Sequence, residues 1–249
     1  QCLAYNFFYF ITIESSTAFR IISSVRYNFT VQNFFQCLPE PVALNPHPDK
    51  MRSVQELWLQ GMHVDQYRHP QIEPDVYYRE ALRRDSDHIP SLIGLGEYCY
   101  RRGHYQEARE MLERAVANEH IYNLHYPDGE AEYLLGLTLD ALGLQDKAYD
   151  LFRNAAWSGL TVARALCKAA AIDGRRGDFA AMLKNASGAL EAAARHPLAS
   201  VYAALAQARL GDTDAAQARL EAALRADPLN DLAAFTLCDL RKEDASAFW

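Results

Sequence analysis

Residues 92–115 read LIGLGEYCYRRGHYQEAREMLERA. Leu92, Leu95 and Cys99 recur at helical spacing, Gly103 interrupts the pattern, and Ala108, Leu112 and Ala115 resume it. The stretch predicts two antiparallel helices, A and B, joined by a tight turn. Gly96 and Ala108 are small because the two helices cross closely there. Ala115 is small because the next helix A must approach. Gly103 ends helix A in the left-handed conformation that glycine adopts at least cost.

The unit recurs. Leu57, Gly61 and Val64 with Tyr78, Ala81 and Leu82 form a first copy, and Leu135, Gly136, Ala148, Phe152 and Ala155 a third. Leu166, Ala170, Phe179 and Ala189 form a fourth, and Ala204, Ala216, Leu220, Ala223 and Pro228 a fifth. The turn glycines fall at 103, 143, 177 and 211, so their spacings are 40, 34 and 34. Two successive spacings of 34 indicate stacked helix-turn-helix repeats. The spacing of 40 places six extra residues within 117–129. There Asp128 is expected to cap the third helix A, with Glu130 and Glu132 as first-turn charges. Ser53 and Glu56 fit a capping box. Residues 229–240 predict a final helix covering the open end of the stack. The fold class is therefore all-α, a solenoid of about five repeats plus a capping helix over 53–240, followed by a tail at 241–249.

Residues 1–38 differ. They are rich in Phe, Tyr, Ile, Val, Thr and Ser, which predicts strands or irregular structure. Two readings stay open: a truncated leader, or the last strands of a β-domain lying upstream. Either way, any stable portion is expected near Trp58. Residues 39–52 carry four prolines and read as an extended linker. The chain begins at Gln1, not Met, so a fragment or a processed piece is expected. Residues 3–13 are apolar but too short to span a bilayer, and they lack the flanks of a signal peptide.

A net charge of −7 without basic runs argues against nucleic acid and anionic membranes as partners. The five cysteines are dispersed, with no C-x-x-C, and predict buried thiols in a reducing, cytoplasmic setting. His63, His69, His104, His120 and His125 lack ligand spacing, so no metal or other cofactor is expected. No G-x-S-x-G occurs. Carboxylate pairs such as Asp85 and Asp87 read as helix-end charges. No catalytic residue is expected, and the chain reads as a non-enzymatic scaffold that holds another protein surface.

Over about Ser53–Leu240 the pattern resembles the tetratricopeptide-repeat (TPR) family. Leu92, Cys99 and Leu112 stand where that family's consensus has Trp, Tyr and Phe. The resemblance implies a scaffold that binds peptides or neighbouring domains on a concave side formed by the A helices. Side chains two, five, nine, twelve and thirteen places into each repeat would face that groove. Those places hold Trp58, Met62 and Asp65 in the first repeat, and Ile93, Glu97, Tyr100 and Arg101 in the second. The third supplies Glu130, Tyr133, Leu137 and Asp140, and the fourth Arg164, Cys167 and Arg175. Val201, Leu205 and Arg209 come from the fifth. The Lys and Asn with which one TPR subgroup clamps chaperone C-termini are absent. Tyr133, Leu137, Val201 and Leu205 have a second reading, as residues covered by the neighbouring repeat or by the N-terminal segment. Arg101, Arg175 and Arg209 share the thirteenth place and predict a basic row, partly neutralised by Glu97 and Asp140. That row either meets acidic residues of a partner, with Tyr100 and Tyr133 beside it, or pairs with helix-end carboxylates such as Asp178 and Asp212.

A narrower likeness involves residues 53–85, YPDGEAEYLLGL at 126–137 and KAYDLFRNAAW at 147–157. These stretches are similar to the C-terminal repeats of large bacterial proteins in which a β-rich, carbohydrate-associated domain of unknown function comes first. That likeness implies an accessory module whose parent protein processes carbohydrate at a site upstream, so that this chain would meet sugar only indirectly.

Overall fold

The computed structural model describes residues 46–67, 72–121 and 128–242, and among them eleven α-helices and no strand. The first repeat pairs α1 (Val54–Tyr67) with α2 (Asp75–Arg84), and the second α3 (Ile89–Arg101) with α4 (Tyr105–His120). The third pairs α5 (Glu130–Ala141) with α6 (Gln145–Ala155), and the fourth α7 (Val162–Arg176) with α8 (Phe179–Ala192). The fifth pairs α9 (Pro197–Arg209) with α10 (Thr213–Ala226), and α11 (Asp231–Arg241) closes the stack. The expectations for residues 1–38 and for most of the tail lie outside the described residues.

Local chemistry sets the helix ends. Ser53 Oγ accepts from the Glu56 amide at 3.1 Å, while Glu56 Oε2 accepts from the amides of Arg52 (2.9 Å) and Ser53 (3.4 Å). This is the expected capping box, and it satisfies first-turn donors that would otherwise be orphaned. The turn glycines 103, 143, 177 and 211 all have φ between 79° and 97°, with open space where a β-carbon would sit. Their requirement is conformational, not steric.

The packing between helices A and B depends on absent side chains. A β-carbon on Gly61 would lie 2.6 Å from the Tyr78 ring, one on Gly96 2.6 Å from Leu112, and one on Gly136 2.7 Å from Phe152. In the fourth and fifth repeats Ala170 and Ala204 take this place, buried with Ala186 and Leu220 respectively. Between repeats, Ala115 is buried with Ala131, Ala155 with Ala165, and Ala189 with Ala199. Helices A therefore approach one another: α1 touches α3, α3 touches α5, α7 touches α9 and α9 touches α11. Successive B helices make no comparable contact among the described residues. The A side is thus the inside of the curve. A buried polar link reinforces the third and fourth repeats, where Asn185 donates to Asp173 (2.6 Å) and accepts from Arg153 (3.0 Å).

Two expectations are corrected. The described end of the expected extended linker is a 3-10 turn, Pro48–Lys50, held because Arg84 donates to the carbonyls of Met51 (2.7 Å) and Pro48 (3.2 Å). Asp128 does not cap α5. The preceding residue of that helix is Gly129, at φ 59°, with no side-chain cap. A β-carbon on Gly129 would meet Thr161 Oγ1 at 2.7 Å and the Ala155 carbonyl at 3.1 Å, so the chain enters α5 through a gap only glycine fits.

Gly136→Leu gains about 0.8 kcal/mol of helix propensity but drives a side chain into the fully buried Phe152. Overpacking typically costs about 1–3 kcal/mol, so urea unfolding is expected to show a net loss, partly recovered by adding Phe152→Leu. A Gly136→Leu protein as stable as its parent would contradict this packing.

Candidate partner-binding groove

The concave side carries a ladder of ion pairs, each joining one helix A to the next. Arg101 of α3 donates to Asp65 of α1 at 2.5 Å, and Arg175 of α7 donates to Asp140 of α5 at 2.6 Å. Arg164 of α7 pairs with Glu130 of α5, and its guanidinium lies 4.5 Å from the centroid of the Tyr133 ring. The arginines therefore do not turn to Asp178 and Asp212. Those two carboxylates cap α8 and α10, accepting from the amides of Ala181 (2.9 Å) and Ala215 (3.1 Å). Arg209, the third of the row, rests 5.9 Å from the centroid of Phe179. It meets no carboxylate among the described residues.

Between these charges lies a discontinuous apolar floor. Trp58, Met62, Ile93, Tyr100, Leu137 and Leu205 are half-buried. Tyr133 and Val201 are buried, which agrees with the second reading of them as covered residues, and Cys167 is buried too, which corrects the expectation that it lines the groove. The Tyr133 ring sits 5.9 Å from that of Phe152, and Arg164 covers it. Glu97 faces Arg101 from one turn earlier at 3.9 Å. Burial raises its pKa, Arg101 opposes that rise, and the nearby Asp65 adds to it.

Solved structures share this fold. The chain is similar to YrrB, described as a TPR protein with an unusual peptide-binding site, at 20% identity and a TM-score of 0.57, covering 72% of this chain and 89% of that one. It is similar to TTC0263, a thermophilic TPR protein of Thermus thermophilus, at 15% identity and a TM-score of 0.55, covering 76% and 100%. PilF of Pseudomonas aeruginosa matches at 16% identity and a TM-score of 0.64, covering 77% and 82%. The chain has the TPR fold. No family model matches it.

Within this TPR solenoid, Glu132 stands in the first turn of α5 as expected, but it is also a core residue. By register it occupies the place of Leu92, and it is buried, with one oxygen 3.0 Å from His120 Nε2 and the other without a partner. Beside it Glu119 is 2% exposed and neither of its carboxylate oxygens has a hydrogen-bond partner. Among the described residues no group of three His, Cys, Asp or Glu could hold a metal. No helix among them is long and apolar enough to cross a membrane. Burial pushes the thiols of Cys99 and Cys167 up to about 11, so both stay protonated and poorly nucleophilic at neutral pH.

Burial, with Glu132 and Asp128 adding to it, pushes Glu119 up to about 8. The folded state therefore binds a proton more tightly than the unfolded chain, whose glutamates titrate near ~4.3. The stability from this protonated carboxyl is full below that value and is lost as pH rises toward 8. Glu119→Gln is expected to match the parent in thermal unfolding at pH 4.5 and to exceed it at pH 8.5 by on the order of 1–3 kcal/mol. A difference that does not grow with pH would contradict the assignment.

Proposed function

We propose that the chain is a non-catalytic scaffold whose concave A face holds an extended segment of a partner protein. The observation that carries this reading is the concave row itself. Half-buried Tyr100, Leu137 and Leu205 alternate there with partly exposed ion pairs. Aromatic and apolar anchors beside arginine are what protein interfaces favour. Pairs this exposed add at most about 1 kcal/mol each, so an incoming carboxylate or ammonium competes with them readily. The peptide-binding description of YrrB supports the same class of ligand. The partner is a separate protein or another domain of the same polypeptide; the net charge of −7 speaks against nucleic acid and anionic membrane.

The buried, free thiols of Cys99 and Cys167 favour a reducing, cytoplasmic setting. A second reading, the accessory end of a carbohydrate-processing protein, rests on the likeness of residues 53–85, 126–137 and 147–157 to repeats found behind β-rich domains. In that reading the groove grips the upstream domain, and sugar chemistry takes place elsewhere.

A photoreactive phenylalanine analogue at position 100 or 205 tests the proposal against one at Leu160, which is 75% exposed and lies in the turn before α7. Cross-links to one protein partner from positions 100 and 205, at least tenfold above those from 160, are expected. Equal or greater yield from position 160 would overturn the groove as the binding face.

A further inference from the structure

We infer that the cleft bounded by α7, α8 and α9 is a subsite for an aspartate or glutamate side chain of the partner segment, its carboxylate pairing with Arg209. The inference rests on the groove reading above and concerns one place within it.

The argument comes from the register of the ion-pair ladder. Arg101 follows its partner Asp65 by 36 residues, and Arg175 follows Asp140 by 35. Counting 35 back from Arg209 reaches Gly174. Gly174 stands three residues before the turn glycine Gly177, as Asp140 stands three before Gly143. The fifth repeat thus keeps the arginine of the pair, while the fourth has no side chain where the carboxylate belongs. A β-carbon on Gly174 would meet Met182 Sδ at 2.9 Å, so the flexible Met182 side chain takes up the space next to the backbone there. Beside it opens a cleft of about 400 Å³ lined by Gly174, Met182, Phe179, Tyr202, Leu205 and Arg209.

The cleft suits an acidic side chain set beside apolar neighbours. At 5.9 Å from Phe179, Arg209 sits at the outer edge of cation–π range, and a guanidinium has five donors to offer a carboxylate. Arg175, already held by Asp140, adds a second positive charge to the cleft wall. Phe179, Tyr202 and Leu205 offer half-buried apolar surface to the residues flanking the acid. The place to be filled corresponds to a side-chain carboxylate in the other two pairs, so an internal acidic residue fits it, not a chain end.

Acetylated, amidated decapeptides with one glutamate between leucine and phenylalanine, and the same peptides with glutamine, are to be titrated by fluorescence anisotropy against the full chain at low salt. The glutamate peptides are expected to bind at least tenfold more tightly. Arg209→Gln removes that preference, Arg209→Lys retains most of it, and Gly174→Asp, which the flexible Met182 thioether must give way to admit, removes it by supplying the missing partner from within. Equal binding of both peptide sets by the parent would overturn the subsite. So would glutamine peptides with a free C-terminus that bind as tightly as the glutamate set, or self-association abolished by Arg209→Gln, since these name a chain end or a second copy as occupant. Where circular dichroism shows that Gly174→Asp does not fold, Arg209→Gln decides alone, and an unchanged glutamate preference contradicts the inference. Failure of the subsite leaves cross-links at position 100 in place; failure of the groove reading removes them as well.

Discussion

A single steric constraint organises this solenoid. Helix A must present a residue with little or no side chain where helix B crosses it. That residue is glycine under a large side chain in the first three repeats and alanine in the fourth and fifth. Gly61 under Tyr78, Gly96 under Leu112 and Gly136 under Phe152 leave no room for a β-carbon, so each helix pair locks in one register. Because the small B-helix residues Ala115, Ala155 and Ala189 admit the following helix A, the stack propagates with the A helices on its inner side. Everything on the concave face inherits its spacing from those contacts. Interiors this dense do not deform continuously, so the places of the groove side chains are fixed by packing and not by the side chains themselves.

The same spacing turns isolated charges into a ladder. Asp65 and Arg101, or Asp140 and Arg175, are about one repeat apart in sequence and meet only because neighbouring A helices stand side by side. Such pairs hold the face in a defined electrostatic pattern at little cost in stability. For the proposed binding of an extended segment, such pairs would keep the face in order while staying weak enough for a ligand to replace. Arg209 against Phe179 is where the ladder runs out of its own carboxylates.

Most of the fold was legible because its determinants are local. Gly103, Gly143, Gly177 and Gly211 announce their turns through backbone conformation alone, and Ser53 with Glu56 announces a helix start. The groove was legible only in register. Arg101, Arg175 and Arg209 could be placed on one face, but their partners could not be chosen, since Asp178 and Asp212 are close to them in sequence whereas Asp65 and Asp140 are close only after stacking. Asp128 misled for a related reason. Its capping chemistry was sound, but the tight approach of Thr161 and Ala155 required a left-handed Gly129 at that point. Glu132 carried a readable signal, its alignment with Leu92, which marks it as a core position. Its buried neighbour Glu119, contributed by the end of α4, had no local signature at all.

The claim that the inner face of the A helices is the recognition surface is tested most directly by hydrogen exchange with mass spectrometry, comparing the free chain with the chain bound to the partner segment that cross-links to position 100. The account predicts added protection in α3, α5, α7 and α9, with α4, α6 and α8 exchanging as in the free chain. Protection confined to the B helices, or to the turn around Leu160, would contradict it.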